Sequence, residues 1–168
     1  IYVGASVGSG GATETGTIRL GDNSNYTRFF AGGIRGVTTG SANAVNVVVD
    51  SAGQLGTVSS SRRFKTDIHD MAEASSGLMQ LRPVTYRYKQ PYADGSMPID
   101  YGLIAEEVAE VYPDIVARNA DGQIETVQYQ KVNAMLLNEV QKQHLENLAQ
   151  RRDIDDLLSG ARIDPTEL

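Results

Sequence analysis

Hydrophobic and polar residues follow one pattern upstream of about residue 60 and another downstream of it. Upstream, short runs of β-branched residues alternate with glycines, and no helical period is visible. This pattern predicts short strands over Thr17–Leu20, Thr27–Phe30, Ala44–Val49 and Leu55–Val58. The segment Asp50–Gly53 is typical of a turn between the last two strands.

Two short helices are predicted downstream. Asp70 and Glu73 have the spacing of a capping box, and they begin a predicted helix that runs to about Leu81. A second helix is expected over Leu103–Val111, where Pro113 ends it.

Strand signals alternate with these helices. Val84–Lys89 alternates apolar and polar residues, as a half-buried strand does, and Pro91–Pro98 is a predicted loop. Ile115–Arg118 and Ile124–Tyr129 flank Asn119–Gly122, which is the strongest hairpin signal in the chain. The mixture predicts an α+β fold.

A long helix is predicted over Gln130–Leu158, a stretch without Gly or Pro in which helix formers dominate. A break near Arg151–Asp153 is one alternative. The apolar stripe of this helix is expected to pack on its own domain from Val132 to Val140. Beyond Leu145, a partner chain is at least as good a candidate for covering the stripe.

Composition changes at the same place as the pattern. Twelve of the 17 glycines precede Ser59, and the six charged residues of that stretch cancel, so the whole net charge of −6 lies downstream. A single copy has too few large apolar side chains there to offset its chain entropy. One interpretation is a flexible glycine-rich linker. We favour a strand-rich stalk that becomes stable when several copies wrap together.

The composition also narrows the classes of function. The chain has no cysteine, which excludes disulfide scaffolds, thiolate zinc sites and cysteine nucleophiles. Two histidines, His69 and His144, leave little room for a Ser-His-Asp triad or a histidine metal site, and we expect neither metal nor cofactor. The net charge disfavours a nucleic-acid partner, and no apolar run is long enough for a membrane span. A chain that begins at Ile1 is expected to be a fragment or a processed product.

Two further groups of residues invite an interpretation. A cluster of carboxylates on the second predicted helix could suggest glycoside hydrolysis, but a solvated helix face explains it better: Glu106, Glu107 and Glu110. Four aromatic residues are expected in the core: Phe64, Tyr86, Tyr88 and Tyr101.

The candidate chemistry lies where the composition changes. Ser60 precedes Lys65 by five residues. A serine hydroxyl needs a base to become a nucleophile, and lysine is the obvious base in a chain with so little histidine. The lysine must first lose its own proton, which burial or a nearby cation such as Arg62 or Arg63 promotes. On spacing alone, a polar linker with a basic end explains these residues better than a catalytic pair does.

The spacing adds a geometric condition. Five residues place Ser60 and Lys65 on different faces of a helix and on opposite faces of a strand. The pair therefore requires a turn between the two residues or a lysine from a neighbouring chain.

Three motifs in order resemble a known family: Ser60–Ile68 (SSRRFKTDI), Leu81–Tyr88 (LRPVTYRY) and Tyr101–Val108 (YGLIAEEV), followed by the long helix. Together they resemble the C-terminal intramolecular chaperone domain of endosialidase tailspikes and phage tail fibres, an auto-processing serine peptidase. The domain is also similar to the self-cleaving domain of myelin regulatory factor. The resemblance covers about residues 60–150.

The resemblance implies a homotrimer that registers its own upstream β-stalk and then cuts itself off, without a cofactor, nucleic acid or membrane. Ser60 matches the nucleophile and Lys65 the base. The expected scissile bond is Ser59–Ser60. Of the three consecutive serines, only Ser60 keeps the offset of five residues from the lysine.

The expected organisation has three parts: the stalk end over residues 1–59, an α+β chaperone core over 60–129, and a long helix with a loose tail and trimer contacts over 130–168. The resemblance implies a virion tail fibre, or a bacterial surface fibre, of phage or prophage origin. Two rival functions remain. One is a trimeric cap that is never cleaved, and the other is a Ser-Lys hydrolase that acts on other molecules.

Overall fold

The structure is a computed structural model that describes residues 2–3, 18–20 and 28–160. It divides into two compact units, Ile1–Val45 and Asn46–Leu168. In the described part, no helix is both long and apolar enough to cross a membrane.

The first unit contains one pair of short parallel strands, β1 (Tyr2–Val3) and β2 (Arg19–Leu20). The second of these lies within the predicted strand Thr17–Leu20, whose first residue is outside the described part. The strand predicted over Thr27–Phe30 is wrong for residues 28–30, which form neither helix nor strand, and Thr27 is outside the described residues. Residues 28–45 are exposed throughout.

The second unit begins with an antiparallel hairpin of β3 (Val48–Val49) and β4 (Leu55–Gly56), shorter than the strands predicted there. The turn between them is confirmed. Asp50 Oδ1 accepts the backbone N–H groups of Ala52 and Gln54, both at 2.9 Å. Gly53 adopts φ +81°, a conformation that glycine reaches without strain.

Two 3₁₀ helices follow, over Arg62–Phe64 and Ala72–Gln80. The second occupies the position of the first predicted helix, but its hydrogen bonding is 3₁₀ rather than α. The predicted capping box is wrong, because the residue preceding this helix is Met71 and no side chain caps its N-terminus.

An antiparallel pair of strands comes next, β5 (Val84–Tyr86) and β6 (Asp100–Gly102). The strand predicted over Val84–Lys89 is confirmed in its first half. Its partner β6 was not predicted, because the strand is only three residues long and lies beside a helix signal. The intervening loop turns at Gly95, which has φ +81°.

The helix predicted over Leu103–Val111 is α1 (Ala105–Val111). Pro113 begins a single 3₁₀ turn, Pro113–Ile115, that leads into the predicted hairpin of β7 (Val116–Arg118) and β8 (Ile124–Val127). The hairpin turn is closed by Asn119 Oδ1, which accepts the N–H groups of the residues two and four positions ahead at 3.1 and 2.9 Å.

The chain continues into α2 (Tyr129–Gly160), a 32-residue helix without the break considered near Arg151–Asp153. One small core joins α1, the β7–β8 hairpin, the second 3₁₀ helix and the first turns of α2. Its buried side chains are Leu78, Val108, Ile115, Val116, Val127, Val132 and Met135. The α+β fold with small sheets and a long C-terminal helix is therefore confirmed.

The face that α2 turns toward its own domain differs from the predicted stripe. Val132, Met135 and Glu139 are buried, as a helical spacing of three and four residues places them on one face. Exposed apolar residues lie beside that face: Leu136, Leu137 and Val140. The first turns of α2 therefore keep an apolar face that a single chain does not cover.

Three of the four aromatic residues expected in the core are at the surface. Phe64, Tyr88 and Tyr101 are 65%, 54% and 74% exposed, and Tyr86 is half-buried. Phe64 lies in an exposed segment, and the three tyrosines lie on or beside the two-stranded sheet of β5 and β6.

Candidate functional site

The backbone around Ser60 is fixed locally by its neighbours. The N–H of Ser61 donates a hydrogen bond to Ser59 Oγ at 3.3 Å, which ties together the residues on either side of Ser60. This serine-centred turn lies across the bond predicted to be cut.

A turn lies between Ser60 and Lys65. The N–H groups of Phe64 and Lys65 donate to the carbonyls of Ser61 and Arg62, at 3.1 and 3.0 Å, and close one turn of 3₁₀ helix. A bend between serine and lysine, one of the two arrangements that the spacing allows, is therefore present.

The two predicted catalytic side chains do not meet in a single chain. Every residue from Val49 to Asp70 is exposed. Within the described part of the chain, Ser60 and Lys65 share no hydrogen bond, and neither side chain is held by another residue. One copy thus supplies the turn but not the burial that the chemistry requires.

The two arginines of the turn differ in their surroundings. The guanidinium of Arg63 stacks over the ring of Phe64, 4.7 Å from its centroid, as a cation–π pair does. Arg62 contributes its carbonyl to the turn. Both lie within three residues of Lys65 in the sequence.

Downstream of Lys65, the backbone passes two unusual positions before it joins the core. Asp67 and Ala72 have φ +49° and +44°, and they are the two non-glycine residues with left-handed backbone in the described part. Met71 packs against the core cluster and is the first residue after Ser60 that is not exposed. We call residues 67–72 the elbow.

The elbow is fastened to α2 by Asn138. Its Nδ2 donates to the carbonyl of Ala72 at 2.8 Å and to Ser75 Oγ at 2.6 Å. Ser75 is fully buried, and its hydroxyl donates in turn to Glu139 Oε1 at 2.6 Å. Two adjacent residues of α2 thus hold the start of the 3₁₀ helix.

Lys142 extends this network by one helical turn. Its Nζ donates to Glu73 Oε2 at 3.0 Å, Glu139 Oε1 at 3.1 Å and Ser76 Oγ at 3.2 Å. The hydrogen bond to Glu73, supported by the charges of both carboxylates, raises the pKa of Lys142. The hydrogen bond from Ser75, followed by that from Lys142, lowers the pKa of Glu139. The hydrogen bond from Ser76, followed by that from Lys142, lowers the pKa of Glu73.

Sequence reasoning missed this polar network. The spacing of Asn138, Glu139 and Lys142 places them on the same face as Val132 and Met135, and that periodicity was the available signal. When polar residues continue the buried apolar face of a helix, they indicate that this face contacts polar groups of its own domain.

The remaining candidates carry no chemistry of their own. Glu107 pairs with Arg82 at the surface, and Glu106 and Glu110 are exposed, which agrees with a solvated helix face. His69 and His144 are exposed. Within the described ranges, no three acidic or histidine side chains group as a metal site would need.

Comparison with known proteins identifies the segment that begins at the junction. A model of a peptidase family described as "Chaperone of endosialidase" matches residues 60–117, about a third of the chain. No curated protein matches the chain significantly. The match begins at Ser60 and includes the elbow, the 3₁₀ helix, α1 and the start of the β7–β8 hairpin. Residues 60–117 thus match the chaperone of endosialidase family, and this match supports an intramolecular chaperone role.

Proposed function

We propose that this chain is a self-cleaving trimerisation chaperone. It assembles as a homotrimer, sets the register of its own upstream β-stalk, and then releases itself by cutting the Ser59–Ser60 bond. The observation that carries the proposal is that the family match begins at Ser60, five residues before a lysine and across a turn that brings the chain around.

The cut would use groups of the chain and one water molecule. Lys65 takes the proton of the Ser60 hydroxyl, whose oxygen attacks the carbonyl carbon of Ser59. The bond from that carbon to the Ser60 nitrogen breaks, and the nitrogen takes a proton from the lysine. Water then hydrolyses the resulting ester, which leaves a carboxylate on Ser59 and restores the hydroxyl.

A tethered substrate explains how so small a site could work. The hydroxyl and the scissile carbonyl belong to adjacent residues, and effective molarities of well-placed intramolecular groups reach about 10⁵ M or more. The reaction therefore needs no substrate cleft, and a base that turns over once can be modest.

Surface composition supports assembly of several copies. Among the described residues from 28 to 59, Val48 is partly buried and all the others are exposed, although many of them have apolar side chains. Phe29 and Phe30 are 66% and 83% exposed. Such an apolar surface is typical of an interface that a single copy leaves open.

The long helix supports the same conclusion. Its apolar side chains away from the domain are exposed along most of its length: Leu136, Leu137, Val140, Leu145, Leu148, Ile154, Leu157 and Leu158. A helix of this kind is stabilised by packing against other helices. We propose that α2 contributes contacts between the three copies.

Denaturing electrophoresis of folded protein tests the proposal. Wild type should give two pieces, one ending at Ser59 and the other beginning at Ser60. Ser60→Ala and Lys65→Ala should each give one piece and should still form trimers. Ser61→Ala is the matched control and should still be cut. A Lys65→Ala variant cut at the wild-type rate would remove lysine from the mechanism.

The alternative function is a permanent cap. The exposure of both Ser60 and Lys65 in one copy favours it if assembly leaves them exposed. A wild-type trimer that remains uncut after complete folding would establish the cap.

A further inference from the structure

The Ser60–Lys65 turn is joined to the core through the elbow. Every residue from Val49 to Asp70 is exposed, and Met71 is the first to touch the core. The next residue, Ala72, is held by Asn138 of α2. The direction in which the Ser60–Lys65 turn leaves the domain is therefore set at residues 71 and 72.

The conformation at that point costs free energy. A left-handed backbone at a residue other than glycine is unfavourable by about 1–2 kcal/mol, and such positions persist when the surroundings determine them. Glycine would adopt φ +44° at Ala72 without this cost. The chain instead has alanine there and an amide donor aimed at its carbonyl.

The amide that holds Ala72 is itself fixed. Asn138 also donates to the buried Ser75 hydroxyl, which is held by Glu139 of the same helix. This arrangement exists only while α2 lies on the 3₁₀ helix. Undocking of α2 would therefore release the carbonyl of Ala72.

We infer that Asn138 is a positioning residue for self-cleavage. By holding Ala72 in its left-handed conformation, it fixes the elbow and presents the Ser60–Lys65 turn in the same place on every copy. Cutting then depends on the docking of α2. This inference rests on the proposed function. It adds the contact that allows cleavage only after the chaperone domain has folded.

Two variants separate positioning from simple support of the fold. Asn138→Ala removes the donor to Ala72, whereas Lys142→Gln breaks the neighbouring ion pairs and leaves that donor in place. Both should lower the Tm. Only Asn138→Ala should slow cleavage of folded protein by about tenfold or more, since a misplacement of 1 Å can cost about 10²-fold.

A second substitution tests the backbone directly. Ala72→Gly adopts the left-handed conformation without help, so it should restore much of the cleavage rate when added to Asn138→Ala. Ala72→Val should slow cleavage, because a β-branched residue disfavours this conformation. Equal rates in the glycine and valine variants at equal folded fraction would overturn the inference.

A measurement that does not use cleavage completes the test. In uncut Ser60→Ala protein, the NMR backbone order parameters of residues 67–72 should be about 0.85. Adding Asn138→Ala should lower them below about 0.6. Unchanged order parameters would show that Asn138 does not hold the elbow, whether or not the protein cuts itself. If the order parameters fall on adding Asn138→Ala but wild-type protein is never cut, the proposed function is contradicted. The contact between Asn138 and the elbow is then still established.

Discussion

Gly77 on the 3₁₀ helix lies directly against Tyr112 at the end of α1. A β-carbon placed on Gly77 would lie 2.8 Å from the Tyr112 hydroxyl and 2.9 Å from a methyl group of Val111. The close approach of these two elements therefore requires a residue without a side chain at position 77.

Gly77→Ala should destabilise the domain by about 1–3 kcal/mol, the usual cost of overpacking. Denaturant unfolding of uncut Ser60→Ala protein measures the change. Gly40→Ala is the control, because a β-carbon there meets nothing within 4 Å. An unchanged stability of Gly77→Ala would show that the two elements are not in contact.

The Tyr112 hydroxyl gives a related prediction. It is buried and has no hydrogen-bond partner in the described part of the chain. Tyr112→Phe should be neutral or stabilising, because it removes an unsatisfied polar atom. It should also reduce the cost of Gly77→Ala, since the nearest clashing atom is removed. A double-mutant cycle measures this coupling.

The small core makes a single deletion severe. Leu78 is 7% exposed within the core cluster, while its neighbour Met79 is 63% exposed. Leu78→Ala should cost about 2–5 kcal/mol, and Met79→Ala should change the free energy of unfolding by less than about 0.5 kcal/mol. Similar losses in the two variants would contradict the orientation of the 3₁₀ helix.

The polar network predicts a stability that depends on pH at both extremes. The pKa of Glu73 and of Glu139 is lowered from 4.5, so their contribution is present above that value and is lost as the pH falls through the folded-state pKa. The pKa of Lys142 is raised from 10.5, so its contribution is present below that value and is lost as the pH rises above it.

Thermal unfolding across this range measures the effect. Lys142→Gln should flatten the alkaline limb of the Tm profile and leave part of the acid limb, because Ser75 and Ser76 still donate to the two carboxylates. A variant profile that runs parallel to the wild-type profile would show that Lys142 is not linked to folding.

The sequence predicted the positions of the helices and strands better than it predicted how they pack. Helical and strand periods located α1, α2 and the β7–β8 hairpin, because each has its own local signal in proline, glycine or apolar spacing. They did not reveal β6, a three-residue strand without a signal of its own. Nor did they show that the first predicted helix, Ala72–Gln80, is 3₁₀, since its packing depends on Gly77 and Tyr112 rather than on local preference.

The candidate site shows the same limit. A turn between Ser60 and Lys65 is one of the two arrangements that their spacing allows for a catalytic pair, and the structure contains that turn. The elbow and its attachment through Asn138 join residues 66 positions apart, which no local pattern encodes. Under the proposed function, the pairing of Ser60 with Lys65 depends on contacts between copies, and it stays a prediction.

The uncovered face of α2 predicts the surface used in assembly. Leu137 and Val140 are both 59% exposed. Replacing both with Glu should dissociate the proposed trimer, because burying their charges between helices is costly. The helix should keep its contact with its own domain through Val132 and Met135. Sedimentation measures the state, with Gln143→Glu as the control that adds charge at an exposed polar position.

Intact mass of the folded wild-type protein tests the central claim most directly. The account predicts two species whose masses place the break between Ser59 and Ser60, together with a single full-length species for Ser60→Ala prepared in the same way. A single full-length mass for wild-type protein that sediments as a folded trimer would contradict self-cleavage.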